Sequence, residues 1–226
     1  MNQINMKKFC NDISKDYANL LKDKLEATEF EVVTKHIKKN QRILDLCCGT
    51  GRYLVPLTKS KFLIDGIDFS SGMITQARKY AKKEKVKINI EQGDATSINR
   101  KNSSYDVILV LGDSLGSIPG KENRQKAIQE IFRILKLKGI LICMIGNRNA
   151  NFKFFSQHVK QYIQNLFNPN FKYGDRNYEF LGSKGIHHDY SKKEIEKSFR
   201  NAGFKIIESI VGKEDLSHKL IYVCKK

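Results

Sequence analysis

Proline and acid are what this sequence is short of. Three prolines and fifteen glycines in 226 residues exclude low-complexity linkers and collagen-like repeats. No apolar run approaches the roughly 20 residues that cross a bilayer; the longest clean one is Ile140 to Ile145. The first ten residues carry two lysines with no apolar core behind them, so no signal peptide is expected. Cysteine is odd in number, five, with Cys47 and Cys48 adjacent and no C-x-x-C pair. That usage argues against a disulfide framework or a metal site and for a reducing cytoplasm. Acids number 24 against 41 Lys and Arg, a formal net charge of +17.

What is present suits a soluble globular protein: 40% hydrophobic and 29% charged residues. The charge admits two readings. A polyanionic partner would be met through phosphate contacts. The other reading makes lysine the default surface residue of a chain also rich in Ile and Asn, with no bearing on function.

From about residue 41 short apolar runs alternate with amphipathic stretches. Ile43–Leu46, Phe62–Ile67, Val86–Ile90, Val107–Leu111 and Ile140–Ile145 read as buried strands. Between them Met73, Ile74, Ala77 and Ala81 share one helical face, as do Ala127, Ile128, Ile131 and Leu135. Strands apolar on both faces, each followed by a helix, predict an α/β doubly wound, Rossmann-like sheet. Before it, Phe9, Ile13, Tyr17, Leu21 and Leu25 at helical spacing predict one or two helices. Residues 150–190 are dense in aromatics without clean periodicity, and read as a packed helical insertion or a lid. A helix through Ile195, Phe199 and Ala202 follows, then a C-cap glycine, Gly203, and strands near Phe204–Val211 and Leu220–Cys224.

The segment Ile43-Leu44-Asp45-Leu46-Cys47-Cys48-Gly49-Thr50-Gly51-Arg52 ends a strand in a glycine turn and opens a helix. Such a turn lets a ligand approach the backbone, beside free N–H groups at the helix start. Leu54 stands where a dinucleotide fingerprint has its third glycine. Asp68 follows Gly49 by nineteen residues, the distance (roughly 20) at which a strand-end carboxylate can hold ribose hydroxyls. It also has the position of a helix N-cap before Ser70. Phe69 and Met73 could sandwich an adenine ring. Asp94 with Ala95 ends the third strand, where the acid could take an adenine amino group or simply make a turn. Leu111-Gly112-Asp113-Ser114 ends the fourth.

This order of motifs resembles the class I S-adenosylmethionine-dependent methyltransferases over roughly residues 41–224. The resemblance implies that Asp45, Cys48, Gly49, Thr50 and Gly51 hold the methionine end of S-adenosyl-L-methionine. It implies Asp68 for the ribose, Asp94 and Ala95 for the adenine, and Leu111 and Gly112 for the edge of the methyl-transfer site. Tyr17 could reach the methionine end from the N-terminal helix, or pack in that helix's stripe. The resemblance also implies seven strands with the last inserted antiparallel. One methyltransferase domain over 1–226 would then comprise a helical cap (1–40), a cofactor-binding core (41–149), an acceptor-side insertion (150–190) and a final helix with two strands (191–226).

A sulfonium methyl needs little from the protein beyond a close, dry nucleophile, and a base only where the acceptor must lose a proton. No proline pair follows the fourth strand, unlike methyltransferases that modify exocyclic amino groups of bases; the Gly112-Asp113-Ser114 turn is weakly similar to glycine N-methyltransferase-like members. Acceptor-side candidates are Asp113, Arg148, His187 and His188. Arg148 reads equally as a solvated loop residue, and of two adjacent histidines one at most faces a pocket. The expected function is methyl transfer to N or O of a small molecule by in-line displacement, in the cytoplasm, with no metal and no membrane partner. An RNA methyltransferase using the basic surface is the alternative, and a non-catalytic cofactor-binding subunit the third reading.

Overall fold

A computed structural model describes residues 5–20, 27–150, 152–167, 171–212 and 218–226. Seven strands form one sheet in the order β3-β2-β1-β4-β5-β9-β8. Its parallel half is β1 (Arg42–Leu46), β2 (Leu63–Asp68), β3 (Asn89–Gln92), β4 (Tyr105–Val110) and β5 (Leu135–Gly146). Strand β9 (Lys219–Lys225) enters antiparallel between β5 and β8 (Lys205–Val211). The doubly wound expectation and its inserted last strand both hold.

Alternation along each strand divides the core into two layers. Ile43, Val107, Leu109, Ile142 and Met144 face Val33 of α2 (Ala27–His36), Leu54 and Leu57 of α3 (Leu54–Lys59) and Ala77 of α4 (Ser71–Lys83). Leu44, Ile108, Leu141 and Cys143 point the other way, onto Ala127 and Ile131 of α5 (Lys121–Ile134) and Phe199 of α7 (Lys192–Asn201). Burial on both faces is why these strands read as continuous apolar runs, each large side chain contributing about 1.5–3 kcal/mol. Gly66 keeps β2 against α3, since a Cβ there would sit 2.6 Å from a Leu54 methyl. Gly203 ends α7 at φ +101°, where a Cβ would meet the Phe132 ring at 2.8 Å.

Helix α1 (Met6–Leu20) lies beside α4 rather than in either layer. Asn11 Oδ1 accepts from Ser70 Oγ (2.7 Å) and from the Gly72 N–H (3.0 Å), while Ser70 Oγ caps α4 by accepting from the Met73 N–H (3.1 Å). Leu21 and Leu25, placed on the same stripe from sequence, lie outside the described residues. The third strand starts three residues later than its apolar run, because Lys85 takes a left-handed turn (φ +56°) and the Val86 N–H bonds back to Ala81. Leu135 opens β5 instead of closing α5, with an extended backbone at the helix C-cap.

The 150–190 insertion is a helix followed by a hairpin: α6 (Phe152–Gln164), then β6 (Asp175–Phe180) and β7 (Ser183–His188). The hairpin packs Tyr178, Phe180 and Ile186 toward Met6, Phe9 and Ile13 of α1. It therefore closes the space above the carboxyl ends of β1, β2 and β4. Among the described residues no helix is long and apolar enough to cross a membrane.

Candidate active site

The carboxyl ends of the parallel strands, where open α/β sheets bind ligands, open into a cavity of about 720 Å³ walled by α1 and the hairpin. Strand β1 delivers Asp45, 2% exposed, with Oδ2 lacking a partner among the described residues. Burial first, then the neighbouring Asp68 and Glu29 carboxylates, push Asp45 up to about 8. A buried carboxylate so poorly compensated favours an incoming cation. The turn after it holds Cys47 and Gly49 at φ +60° and +55°, tied to β2 by the Cys48 N–H on Ile67 O (3.1 Å). A Cβ on Gly49 would meet nothing within 4 Å, so the space before the turn is open for a ligand.

Asp68 ends β2 with both oxygens on backbone donors, Gly49 N–H (2.9 Å) and Ser70 N–H (2.9 Å). Burial nonetheless raises its pKa. The helix cap is Ser70, not Asp68. Asp94 is exposed and Oδ1 accepts from the Thr96 N–H and hydroxyl (2.7 and 2.8 Å), so the turn reading and a place on the cavity wall coexist. Beside them Phe69 and Met73 line the same wall.

The opposite wall is built around Asp113, whose left-handed backbone (φ +64°) follows that of Gly112 (φ +62°) and starts a short 3₁₀ turn, Ser114–Ser117. Asp113 Oδ1 accepts from the Gly146 N–H (2.6 Å), while Oδ2 meets Lys219 Nζ and lies 2.9 Å from His187 Nε2. Burial would raise Asp113, but His187 and Lys219 outweigh it and hold the carboxyl below its usual range. His187 Nδ1 is 3.2 Å from Ser117 Oγ. Behind this pair Asp189 Oδ1 stands 3.6 Å from His187 Nε2, and Oδ2 pairs with Arg176 (3.0 Å) and His158 (3.1 Å). Asp113, His187 and Asp189 offer atoms within 4.8 Å of one another. Lys219 and Arg176 already balance both carboxylates.

Every cofactor-side residue read from sequence lines this cavity except Gly51: Tyr17, Asp45, Cys48, Gly49, Thr50, Asp68, Phe69, Met73, Asp94, Ala95, Leu111 and Gly112. Gly51 instead gives room to α4, since a Cβ there would lie 3.1 Å from the Ala77 Cβ. Tyr17 also packs edge-on against Phe180, so it belongs to both the stripe and the wall. Of the acceptor-side candidates, Asp113 and His187 line the cavity, whereas Arg148 and His188 do not. His188 is buried between Asp175 (2.7 Å) and Glu194 (3.0 Å), and Arg148 pairs with Glu194 (2.5 Å) over the Tyr173 ring. Sequence reasoning missed Glu29, a fully buried carboxylate of α2. It accepts from the Gly112 N–H (2.8 Å) and the Tyr53 hydroxyl and lies 3.6 Å from Arg52. It also missed Arg176, Lys219 and Asp189. No local pattern marks them, because each acts on partners brought together only by the fold.

A methyltransferase-domain family model matches residues 43–139. The demethylmenaquinone methyltransferase of Lactococcus lactis is 33% identical over 174 residues, 74% of this chain and 66% of that enzyme, so the chain spans just under two thirds of that relative's length. Among solved structures, a methyltransferase from Methanosarcina mazei superposes with a TM-score of 0.76 at 20% identity, covering 86% of this chain and 96% of that one. The 1,6-didemethyltoxoflavin-N1-methyltransferase of Burkholderia thailandensis, solved with its acceptor and S-adenosylhomocysteine, gives 0.68 at 12% identity, covering 98% and 87%. At these identities the two structures speak to fold alone. The strand order, the glycine turn between two strand-end acids and these likenesses agree: residues 43–139 are a methyltransferase domain, on the fold that S-adenosylmethionine-dependent methyltransferases share.

Proposed function

We propose that this protein methylates a small, hydroxylated aromatic acceptor of the quinone class in its reduced form, with His187 taking the acceptor's proton. The observation that carries the reading is the Asp113–His187–Ser117 chain on the cavity wall beside Gly112. The acceptor class rests on the relatives, which are named for demethylmenaquinone. A 720 Å³ cavity walled by α1 and the hairpin is also the size of small-molecule sites, about 300–1,000 Å³.

The residues present fit the cofactor. Asp45, buried with Oδ2 unpartnered among the described residues, would hold the amino group, and Asp68 the ribose hydroxyls. Asp94 and Ala95 would meet the adenine edge, between Phe69 and Met73. When bound, the cofactor supplies a methyl group on an electrophilic sulfonium, which departs as a neutral thioether. Asp113 and Asp189, both facing Nε2, favour the tautomer with the proton on that nitrogen and leave Nδ1 as the acceptor toward Ser117 Oγ. An acceptor hydroxyl entering at Ser117 would pass its proton to Nδ1, and the imidazolium so formed would be stabilised by two carboxylates. His187 is only 6% exposed, which keeps the proton transfer dry. The Cys47 and Cys48 thiols are held neutral by burial and the nearby carboxylates, so neither serves as a nucleophile.

The test is turnover with a reduced short-chain naphthoquinone. His187→Asn should lower kcat by roughly 10²–10⁴, while calorimetric cofactor affinity stays within about twofold. Undiminished kcat in His187→Asn would show that the acceptor needs no base from this residue.

A further inference from the structure

We infer that the outer face of α6 seats this protein on an anionic lipid surface. Phe155, Val159 and Ile163 follow one another at four-residue spacing along this helix, and Leu166 and Phe167 continue the apolar row past its end. Phe155, Ile163, Leu166 and Phe167 are 43%, 60%, 56% and 101% exposed. Lone exposed apolar residues need no explanation, but a contiguous row on one helix does. The inner face of the same helix is polar and engaged: His158 pairs with Asp189 (3.1 Å), and Gln161 accepts from the Asn177 N–H (3.0 Å). The amphipathic sense is thus reversed, with polar groups inward and the apolar row outward.

Charge decides among occupants. From residue 131 to residue 174 the chain carries no Asp or Glu, while Lys153, Lys160 and Lys172 fall on or beside α6. Lys160 and Lys172 are exposed. A second copy of a +17 chain would bring like charges together over this face. RNA would satisfy the lysines but not the aliphatic Val159, Ile163 and Leu166. An anionic bilayer satisfies both, taking the apolar row below the headgroups and the lysines among them. The lack of a membrane-spanning segment is no obstacle, since a helix lying in the interface does not span. Through His158 the lipid-facing helix touches Asp189 of the candidate active site. That an apolar acceptor would arrive from the bilayer follows only if the quinone-class reading is right, whereas the surface itself stands on α6.

Co-sedimentation of the full chain with vesicles tests it without any acceptor. Binding is expected to phosphatidylglycerol–phosphatidylcholine vesicles and to be far weaker to phosphatidylcholine alone. Ile163→Asp with Phe167→Asp should weaken it at least tenfold, about the partition lost with one buried large apolar side chain, and Lys160→Glu several-fold with a reduced salt dependence. Cofactor affinity within about twofold of the parent would show the variants folded. No partition onto anionic vesicles, or equal partition by the double variant, would overturn the inference. So would a dimer, or polyuridylate binding, that the same two substitutions abolish, since either would name a different occupant. Lipid binding with no turnover of any quinol would leave this inference standing and remove only the acceptor reading.

Discussion

Asp45 is the residue whose physics is easiest to isolate. Its carboxyl is raised by burial first and then by two neighbouring acids to about 8, so in the ligand-free protein near pH 7 it is mostly protonated. Ionisation is what an amino cation would favour, so cofactor binding should release a proton. Affinity should then rise between about pH 6 and pH 8, and calorimetric enthalpy should depend on the buffer's ionisation heat. A pH-independent affinity would mean that Asp45 does not face the cofactor's charge. Stability runs the opposite way. A folded pKa above the unfolded one gives stability that is complete below about pH 4 and lost as pH rises through about 8. Asp45→Asn should therefore stabilise the ligand-free protein at pH 9, seen as a higher Tm, and weaken cofactor binding roughly 10- to 100-fold. Glu29 differs because it already accepts from the Gly112 N–H and the Tyr53 hydroxyl.

At the scale of elements, legibility followed locality. The β1–turn–α3 unit and the α4 stripe declare themselves over ten or so residues, because glycines at positive φ and a 3.6-residue period are both local requirements. Asp45, Gly49 and Asp68 were readable for that reason. The β6–β7 hairpin was not. Its two-residue turn puts Leu181 at φ +50° and Gly182 at φ +74°, a conformation in which the first position normally carries Asn, Asp or Gly. Leucine there muted the turn signal and cost the hairpin stability. Leu181→Asn should raise global stability by about 0.5–1 kcal/mol, and a lowered midpoint in urea would contradict this account of the turn. The same hairpin carries Arg176 and His187, so the element hardest to read brings two of the side chains gathered on Asp113 and Asp189. Arg148 and His188 were chosen for their chemistry, yet the fold uses them with Glu194 and Asp175 to fix the hairpin's base.

For the whole molecule, the net charge of +17 and the chemistry lie in different places. The cavity's acids, Asp45, Asp68, Asp94 and Asp113, are matched by Lys7, Arg52, Arg176 and Lys219, so the surplus of cations lies outside it. With a neutral acceptor, kcat/KM should change less than about twofold between 50 and 300 mM salt, since exposed charges beyond roughly 10 Å are screened. A fall of a hundredfold or more would instead indicate phosphate contacts to a nucleic-acid substrate.

The position of β9 has a consequence for the order in which the molecule is made. It is the last strand of the described chain but not the last of the sheet, since β8 lies outside it. Until residues 219–225 are in place, β5 presents an open edge, apolar on both faces from Leu141 to Ile145, of the kind that pairs with other chains. Lys219, at the start of β9, is also the cation on Asp113. A nascent chain therefore has the glycine turn with Asp45 and Asp68 before the cation on Asp113 is in place. Closing that gap and placing the cation on Asp113 are one event, and both wait for residues 219–225.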